Sequence, residues 1–514
     1  MDRPAAEIES AIIDAPCGRV AGVRISDVFV FKGIPYAKPP VGELRWRWPE
    51  PLPPWAGVRD AAHFGPICPQ APTQIEALLG GSLGEQSEDC LHLNVWTPGC
   101  DDARRPVMVW IHGGAFVIGA GSQGLYNGRH LAEHDRVIVT INYRLGVFGF
   151  LNLSDATGTP GSGSGAEGIA DQVMALRWVQ QNIAAFGGDP DNVTIFGESA
   201  GAMSVSILLS VPAARGLFHK AIAQSGAAHI GYDPERSKRV AQTFVELLGA
   251  EPDAARLREI PFSALVKAQI ALLADLRQGR DARRLGSVAF QPTIGNDLIP
   301  QRPIDALRAG ASAGIPVITG ATKDEWRLFS SASPRARLTS RSAFEERVRT
   351  AAGDAAPALL AAYADGTTFD RFNAFMTDRV FTLPAIRMLE AQSAFAPVYA
   401  YRFDWSSRLL GGIMGSCHAI ELGFVFGTYN TKLAGAFFGT GPTADALART
   451  MMQAWTTFAR TGNPSSASTG PWTQYDTESR TTMIFGDGRP RAEQDPNRAR
   501  RIAWEAGADS RLGP

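Results

Sequence analysis

The residues whose chemistry is easiest to interpret lie at positions 197–201, where GESAG has the pattern G-x-S-x-G. The β-branched run NVTIF precedes this segment, and the helix-forming run AMSVSILL follows it. A strand-to-helix turn of this kind needs small flanking residues because the two backbones approach closely. It also holds the central serine in a strained conformation with its oxygen exposed. The pattern predicts that Ser199 is a nucleophile for acyl transfer.

A second glycine-rich segment, HGGAF at residues 112–116, follows the apolar run PVMVWI. The segment is typical of loops that bind an oxyanion, because small residues let backbone N–H groups approach a developing negative charge. We expect Gly114 and Ala115 to supply two such donors and Ala200 to supply a third. One donor of this kind is typically worth about 3–4 kcal/mol in the transition state.

An activated serine needs a base, and the chain offers eight histidines: His63, His92, His112, His130, His134, His219, His229 and His418. A nucleophile elbow predicts the α/β-hydrolase fold, in which the partners follow in the order serine, acid, histidine. Among the histidines after Ser199, His219 and His229 come too early for an acid on a later strand to intervene. We therefore predict that His418, in a glycine-flanked loop, is the base.

The acid that orients the base should lie on a loop after a strand, between the serine and the histidine. The apolar run at residues 315–319 predicts such a strand, and GATKDEW follows it. Asp324 and Glu325 are both candidates. Local reasoning from the residues does not choose between them.

The elements that must position these residues are indicated by apolar runs that alternate with helical patterns. Continuous runs of this length are typical of strands buried on both faces. The predicted strands are residues 106–111, 136–143, 192–196, 220–223, 315–319, 397–403 and 482–485. A helix is predicted at residues 170–186, ended by Gly187 and Gly188. The alternation predicts a mostly parallel sheet with helices on both faces.

The chain is expected to form a single domain over residues 1–514. Two stretches, at about 232–310 and 341–395, have mostly helical patterns rich in Ala, Leu and Arg, and we expect them to be helical insertions that pack over one end of the sheet. The polar segment at residues 156–168 is too short for an interdomain linker. We find no internal repeats.

Composition excludes several classes of function. The formal net charge is −1, from 50 basic and 51 acidic residues, so no strong field attracts nucleic acid or an anionic membrane. No stretch approaches the roughly 18 apolar residues that a membrane helix needs, and the first residues lack a signal-peptide pattern. The five cysteines form no CxxC pair, which argues against a zinc site. We expect a cytoplasmic protein, and the excess of Arg over Lys favours a bacterial source.

Five long segments resemble the type-B carboxylesterases, a family that includes bacterial carboxylesterases and cholinesterases. The segments follow the family order and extend over nearly the whole chain. They are FKGIPYAKPPVGELRW at residues 31–46, SEDCLHLNVWTP at 87–98, NYRLGVFGFL at 142–151, FGGDPDNVTIFGESAG at 186–201 and FARTGNP at 458–464.

The resemblance implies an α/β-hydrolase fold, with a large, mostly parallel central sheet and helical insertions over the active site. It assigns the acid to the last letter of KDE, which favours Glu325 over Asp324. Matched motif by motif, the resemblance implies a catalytic triad of Ser199, Glu325 and His418. It also implies that the oxyanion donors are Gly114, Ala115 and Ala200, and that Glu198 and Ser225 support the site. A disulfide between Cys68 and Cys90 and a buried ion pair between Arg45 and Glu88 are also implied.

Two departures from the cholinesterase pattern bear on the substrate. The stretch before SEDC, ALLGGSLGEQ, lacks the tryptophan that cholinesterases use to bind a cation, and a cation–π contact is worth about 2 kcal/mol when desolvated. A role specific to acetylcholine is therefore not expected. Ala115 replaces the third glycine of the cholinesterase loop, as the resemblance finds in bacterial members. We take this GGA loop to admit bulky esters, including esters of tertiary alcohols.

These observations predict a serine carboxylesterase that hydrolyses neutral, hydrophobic esters through an acyl-enzyme, with no metal or organic cofactor. Phe116, Trp326 and Phe329 adjoin the motifs and are candidate pocket walls. An amidase or carbamate hydrolase would use the same triad. A non-catalytic cholinesterase-like binding protein is disfavoured because all three triad residues are present. The expected partner is a small-molecule ester, and a monomer is favoured.

Overall fold

The computed structural model describes residues 8–72, 84–277, 285, 288–331, 340–431 and 435–506. The described residues contain a sheet of thirteen strands. The strands are β1 (Ile8–Ala15), β2 (Gly18–Ile25), β3 (Val28–Pro35), β4 (Val58–Asp60), β5 (His92–Thr97), β6 (Arg105–Ile111), β7 (Val137–Ile141), β8 (Gly188–Glu198), β9 (Lys220–Gln224), β10 (Val317–Thr322), β11 (Val398–Phe403), β12 (Thr481–Phe485) and β13 (Arg491–Gln494).

The sheet has a parallel centre and antiparallel edges. Its order is β1-β2-β3-β5-β7-β6-β8-β9-β10-β11-β12-β13, and β4 pairs with β2. The seven strands from β7 to β12 in this order are mutually parallel, and they are the seven strands that the apolar runs predict. The remaining strands extend the two edges, with antiparallel pairings except between β2 and β4.

The central strands are buried on both faces because helices cover the sheet from both sides. In β6 the side chains of Val107 and Val109 belong to one hydrophobic cluster, whereas those of Met108 and Trp110 belong to a second cluster. Alternate side chains of a strand point to opposite faces. The two clusters therefore lie on the two faces of the sheet, and this explains why the strand sequence shows no polar alternation.

The helices lie between the strands and beyond them. They are α1 (Arg129–Ala132), α2 (Gly146–Gly149), α3 (Leu153–Thr157), α4 (Glu167–Asn182), α5 (Ala200–Leu208), α6 (Pro234–Leu248), α7 (Ala254–Glu259), α8 (Phe262–Arg277), α9 (Pro303–Arg308), α10 (Arg327–Ser331), α11 (Arg341–Ala352), α12 (Ala356–Ala362), α13 (Thr368–Thr377), α14 (Leu383–Ser393), α15 (Leu422–Val425), α16 (Gly435–Phe438), α17 (Pro442–Thr461) and α18 (Arg498–Glu505). Among the described residues, no helix is both long enough and apolar enough to cross a membrane.

The predicted helix at residues 170–186 is present as α4 and a following 3-10 turn, Ile183–Phe186. Its end is set by Gly187, whose φ of +76° is a conformation that residues with a side chain rarely adopt. The two stretches of predominantly helical sequence contain α6 to α9 and α11 to α14. Helices α11 to α14 share a third hydrophobic cluster with Trp504 of α18.

Two contacts implied by the family resemblance have different outcomes. Arg45 and Glu88 form a buried, two-pronged ion pair with N–O distances of 2.6 Å and 2.5 Å, as expected. The expected disulfide is absent, because Cys68 and Cys90 are both free, buried thiols. A hydrogen-bonding contact with Cys68, together with burial, holds the pKa of Cys90 well above its ordinary value, so this thiol stays protonated and unreactive.

Candidate active site

The turn around Ser199 joins the end of β8 to the start of α5. Ser199 has φ of +56° and ψ of −124°, a strained conformation for a residue with a side chain. A Cβ atom added to Gly201 would overlap the carbonyl oxygen of Ile111, and one added to Gly197 would lie 2.5 Å from the carbonyl carbon of Gly201. Only glycine fits these two positions. The serine is the single partly exposed residue between two buried neighbours.

The loop after β6 turns sharply at three successive residues. Gly114, Ala115 and Phe116 have φ angles of +112°, +53° and +62°. The N–H groups of Val117 and Ile118 donate to the carbonyl oxygen of Gly114, at 3.0 Å and 3.1 Å, and close the turn. Strain of this kind is maintained only where the surroundings fix the backbone.

Two backbone donors of this turn and one at the start of α5 have no acceptor among the described residues. Within the described part of the chain, the N–H groups of Gly114, Ala115 and Ala200 donate to no protein atom. Ala200 is the first residue of α5, where a helix leaves its N–H groups unpaired. All three residues line the cavity that contains Ser199. Such donors suit an oxyanion that forms during a reaction.

His112 anchors the base of the same loop. Its Nδ1 atom lies 2.8 Å from the carbonyl oxygen of Gly113, and its ring stacks on Tyr143 with centroids 4.5 Å apart. The Tyr143 hydroxyl donates to the His112 carbonyl oxygen at 2.8 Å. Burial lowers the pKa of His112 to about 4, so the imidazole is neutral at neutral pH. This histidine therefore has a structural environment rather than an acid–base one.

The two candidate acids after β10 have different surroundings. Glu325 is fully buried, with Oε2 at 2.5 Å from His418 Nδ1, and its Oε1 accepts the N–H of Thr322 at 2.7 Å. Asp324 instead accepts the N–H of Ser416 at 3.0 Å and is partly exposed beside Arg327. Geometry thus separates two residues that the sequence pattern alone leaves equivalent.

The loop that bears His418 is joined to the loop after β10 by backbone hydrogen bonds. The Asp324 N–H donates to the Ser416 carbonyl oxygen at 2.8 Å, and the His418 N–H donates to that of Glu325 at 3.3 Å. The rings of Phe381 and Phe329 lie 4.8 Å and 5.1 Å from the imidazole centroid. The imidazole is therefore held between a carboxylate and two aromatic side chains.

The other ring nitrogen of His418 faces a carboxyl group rather than the serine. Its Nε2 atom lies 3.0 Å from Glu198 Oε1, and no hydrogen bond joins His418 to Ser199 among the described residues. In free enzymes the contact between nucleophile and base is often long and tightens only with substrate. The sequence pattern did not predict that Glu198 would contact the imidazole itself.

Three buried carboxyl groups, those of Glu198, Glu325 and Glu421, act electrostatically on this imidazole, and the sequence analysis missed Glu421. Burial raises the pKa of Glu198 to about 8 and that of Glu421 to about 7. Burial lowers the pKa of His418, but the charges of Glu198 and Glu325 outweigh that effect and raise it to about 9. Glu421 lies three residues after His418 and directly before α15, and no motif in the sequence marks its proximity to the imidazole.

Ser225, the other supporting residue implied by the resemblance, directly follows β9. It is fully buried with a φ of +52°, and its N–H donates to the Gly320 carbonyl oxygen at 2.9 Å. Its hydroxyl has no hydrogen-bond partner among the described residues. The structure thus brings Ser225 to the carboxyl edge of the sheet as a packed, buried residue.

The cavity that contains Ser199 has a volume of about 480 Å³ and lies at the carboxyl ends of β6, β8 and β10. In parallel sheets this edge is where ligands bind. The expected wall residues Phe116, Trp326 and Phe329 all line it. Further apolar walls, which the sequence analysis did not identify, are Met203, Ile230, Val288, Val380, Phe381 and Leu422. Because these come from distant segments, no local motif marks them.

The chain is similar to known proteins over nearly its whole length. The model of a family described as the carboxylesterase family matches residues 9–504. The para-nitrobenzyl esterase of Bacillus subtilis (strain 168) is 40% identical over 492 residues, covering 95% of this chain and 97% of its own. Phenmedipham hydrolase of Pseudarthrobacter oxydans is 35% identical, covering 93% and 96%. A Geobacillus stearothermophilus carboxylesterase superposes with a TM-score of 0.86 at 40% identity, covering 96% and 99%.

Proposed function

From the premise that this chain belongs to the carboxylesterase family, we propose that it hydrolyses its esters through Ser199, His418 and Glu325. Membership makes the chain a carboxylic ester hydrolase with an α/β-hydrolase fold. The assignment of catalytic roles to individual residues is our proposal.

One observation carries the assignment. The cavity that exposes the strained Ser199 also contains three unpaired backbone N–H groups and an imidazole whose Nδ1 lies 2.5 Å from Glu325. A nucleophile, oxyanion donors and an oriented base in one cavity are the parts that acyl transfer requires. None of the other histidines meets these conditions in the described residues.

The first half of the reaction forms an acyl-enzyme. His418 Nε2 takes the proton of the Ser199 hydroxyl while the oxygen attacks the ester carbonyl carbon. The resulting oxyanion accepts hydrogen bonds from the N–H groups of Gly114, Ala115 and Ala200. Glu325 fixes the imidazole tautomer and stabilises the imidazolium. The protonated His418 then gives its proton to the leaving alkoxide, which departs as the alcohol.

The second half of the reaction releases the acid. His418 removes a proton from water, whose oxygen attacks the acyl carbon attached to Ser199 Oγ. The same three N–H groups stabilise the second oxyanion. The serine oxygen leaves, takes the proton back from His418, and the carboxylic acid departs. Because His418 Nε2 faces Glu198 in the free enzyme, we propose that substrate draws it toward Ser199.

The substrates are neutral, hydrophobic carboxylic esters. Support comes from the cavity walls, which are mostly apolar and carry Glu198 and His418 among their few polar side chains. Apolar walls with a few convergent polar groups select such ligands. We further propose that the open GGA loop admits esters of tertiary alcohols. Hydrolysis of tert-butyl acetate alongside n-butyl acetate is the expected result, and cleavage of the n-butyl ester alone would contradict it.

Amide or carbamate hydrolysis by the same triad is the alternative activity. The family and its esterase relatives favour esters. Parallel assays of a p-nitrophenyl ester and the matching p-nitroanilide separate the two activities, and we expect faster cleavage of the ester.

The direct test is the hydrolysis of p-nitrophenyl acetate, butyrate and octanoate by the wild type and by Ser199→Ala. Wild-type turnover and a loss in the variant of roughly 10⁴- to 10⁶-fold are expected. Ser206→Ala is the matched control, because this serine lies on α5 just after the elbow and, among the described residues, its hydroxyl bonds only to the Ala202 carbonyl oxygen and to Met388. An inert wild type would favour a binding protein, and an active Ser199→Ala would contradict the triad.

We also propose that the chain is a single domain over residues 1–514, with helical insertions at about 232–310 and 341–395, and that it is a monomer in a bacterial cytoplasm. The family match over residues 9–504 supports one domain. The free thiols of all five cysteines are consistent with a reducing compartment. Light scattering of the purified chain tests the monomer, and a mass of two or more chains would contradict it.

A further inference from the structure

A second cavity lies beside the catalytic one and has no part in the reaction described above. Its volume is about 170 Å³. Its walls include the apolar side chains Ile25, Val30, Phe64 and Trp96 and the two cations Lys32 and Arg129. Gln123 lines both this cavity and the catalytic cavity, so the segment that bears it separates the two spaces.

Lys32 is the unusual residue in this cavity. It lies on β3, where its N–H donates to the Ala61 carbonyl oxygen at 2.7 Å. Its ammonium nitrogen is 4.6 Å from the centroid of the Phe64 ring. Throughout the described ranges, no carboxylate lies within ion-pair distance of this ammonium and no hydrogen bond satisfies it. Lysine side chains that are half-buried are usually paired or reach fully into solvent.

The electrostatics of the cavity favour an anion. No aspartate or glutamate is among its lining residues. Arg129 has its own partner, Glu133, at 3.1 Å, and that carboxylate is outside the lining. Burial lowers the pKa of Lys32, because its charge is desolvated without compensation. An anion bound here would supply the missing partner.

We propose that this cavity is a binding site for a small monocarboxylate with an apolar or aromatic body. The Lys32 ammonium would take the carboxylate in a charge-assisted hydrogen bond. The apolar body would lie against Phe64 and Trp96. The volume is well below the roughly 300 Å³ at which cavities for drug-sized ligands begin, so the ligand is a small acid.

The chemistry of this ligand is that of an acid released by ester hydrolysis, but binding here does not depend on Ser199 or on the proposed function. A bound acid would contact Gln123, whose segment continues from the oxyanion loop into the wall of the catalytic cavity. An acid can thus bind at this site, beside the catalytic cavity, without occupying that cavity.

The test is calorimetric titration of benzoate into the wild type, Lys32→Met and Lys32→Arg. Methionine keeps an apolar stem of similar length and removes the charge, so benzoate affinity should fall ~10-fold or more. Arginine keeps the charge and should restore most of the affinity. Lys38→Met is the matched control, because Lys38 is exposed and already paired with Glu50 at 2.8 Å, and it should bind benzoate like the wild type.

Two further measurements make the outcome decisive. Neutral benzamide should bind the wild type and Lys32→Met alike, because it lacks the carboxylate. Turnover of p-nitrophenyl butyrate without benzoate should be unchanged in Lys32→Met, which shows that this variant is folded. Equal benzoate binding by the wild type and Lys32→Met, or no binding by the wild type, overturns the proposal and leaves the esterase assignment intact.

Discussion

At the scale of single residues, the site consists of one imidazole among three buried carboxyl groups. Glu325 contacts one ring nitrogen of His418, and Glu198 faces the other. Charges this close influence one another's ionisation. Burial favours the neutral form of each carboxyl, whereas the charge on the imidazole favours the ionised form. The protonation of His418 is thus set by its neighbours as much as by its own chemistry.

This balance predicts how Glu198 affects the pH dependence. The charges of Glu198 and Glu325 raise the pKa of His418 to about 9, and only the neutral imidazole acts as base. Glu198→Gln removes one negative charge, so this pKa falls and the rising limb of kcat/KM for p-nitrophenyl butyrate moves to lower pH, by about one unit. The exposed Glu346→Gln is the control. A limb that stays in place in Glu198→Gln would contradict the coupling.

Some of these residues could be predicted from the sequence and others could not, for physical reasons. Ser199 has a local motif because a tight turn constrains its neighbours. The choice of Glu325 over Asp324 depends on which side chain reaches His418, 93 residues away in the chain, and only the family resemblance favoured it. Glu421 was missed because its electrostatic interaction with His418 depends on burial, which no motif in the sequence marks.

At the scale of elements, the elbow between β8 and α5 depends on close backbone approach. Gly201 lies in the first turn of α5 beside the end of β6, and its φ is not in the left-handed region. Position 201 therefore requires glycine only because there is no space for a side chain. The site is positioned because two strands and a helix meet without intervening side chains.

Gly201→Ala should therefore separate α5 from β6. The added methyl overlaps the Ile111 carbonyl oxygen, and overpacking of this kind costs about 1–3 kcal/mol. We expect a lower midpoint of thermal unfolding and a large loss of esterase activity. Gly488→Ala is the control, because an added Cβ there meets no atom within 4 Å and its φ is ordinary. Equal unfolding midpoints and activities for the two variants would contradict this account of the elbow.

The prediction of strands succeeded in the centre of the sheet and failed at its edges. The seven parallel strands are buried on both faces, so burial gives each a continuous apolar run. In β2, by contrast, most side chains are partly exposed, and all three residues of β4 are exposed. Edge strands such as these carry mixed polar and apolar residues, and their pairing is set by neighbours distant in sequence.

At the scale of the whole molecule, buried ion pairs connect segments that are far apart in the chain. Arg144, after β7, contacts Asp171 of α4 at 2.7 Å and 2.8 Å, with both side chains nearly fully buried. It also donates to the Arg47 carbonyl oxygen at 2.8 Å. One guanidinium therefore joins the N-terminal segment, the parallel sheet and its covering helix.

Asp171→Asn should destabilise the whole molecule, since it removes the carboxylate that is hydrogen-bonded to a buried guanidinium. The cost of breaking such a pair is about 3–5 kcal/mol. Asp191→Asn breaks an exposed contact with Arg104 and should cost less than about 1 kcal/mol. Thermal unfolding of both variants measures the difference. Similar midpoints for the two variants would show that the buried pair has no such role.

The central claim is that the acyl group is carried by Ser199, and a rapid-quench experiment tests it most directly. The wild type is mixed with p-nitrophenyl butyrate, quenched in acid within the first turnover, digested and examined by mass spectrometry. The account predicts a butyryl group on the peptide that contains Ser199, and none in Ser199→Ala. A butyryl group on another residue, or turnover by Ser199→Ala at the wild-type rate, would contradict it.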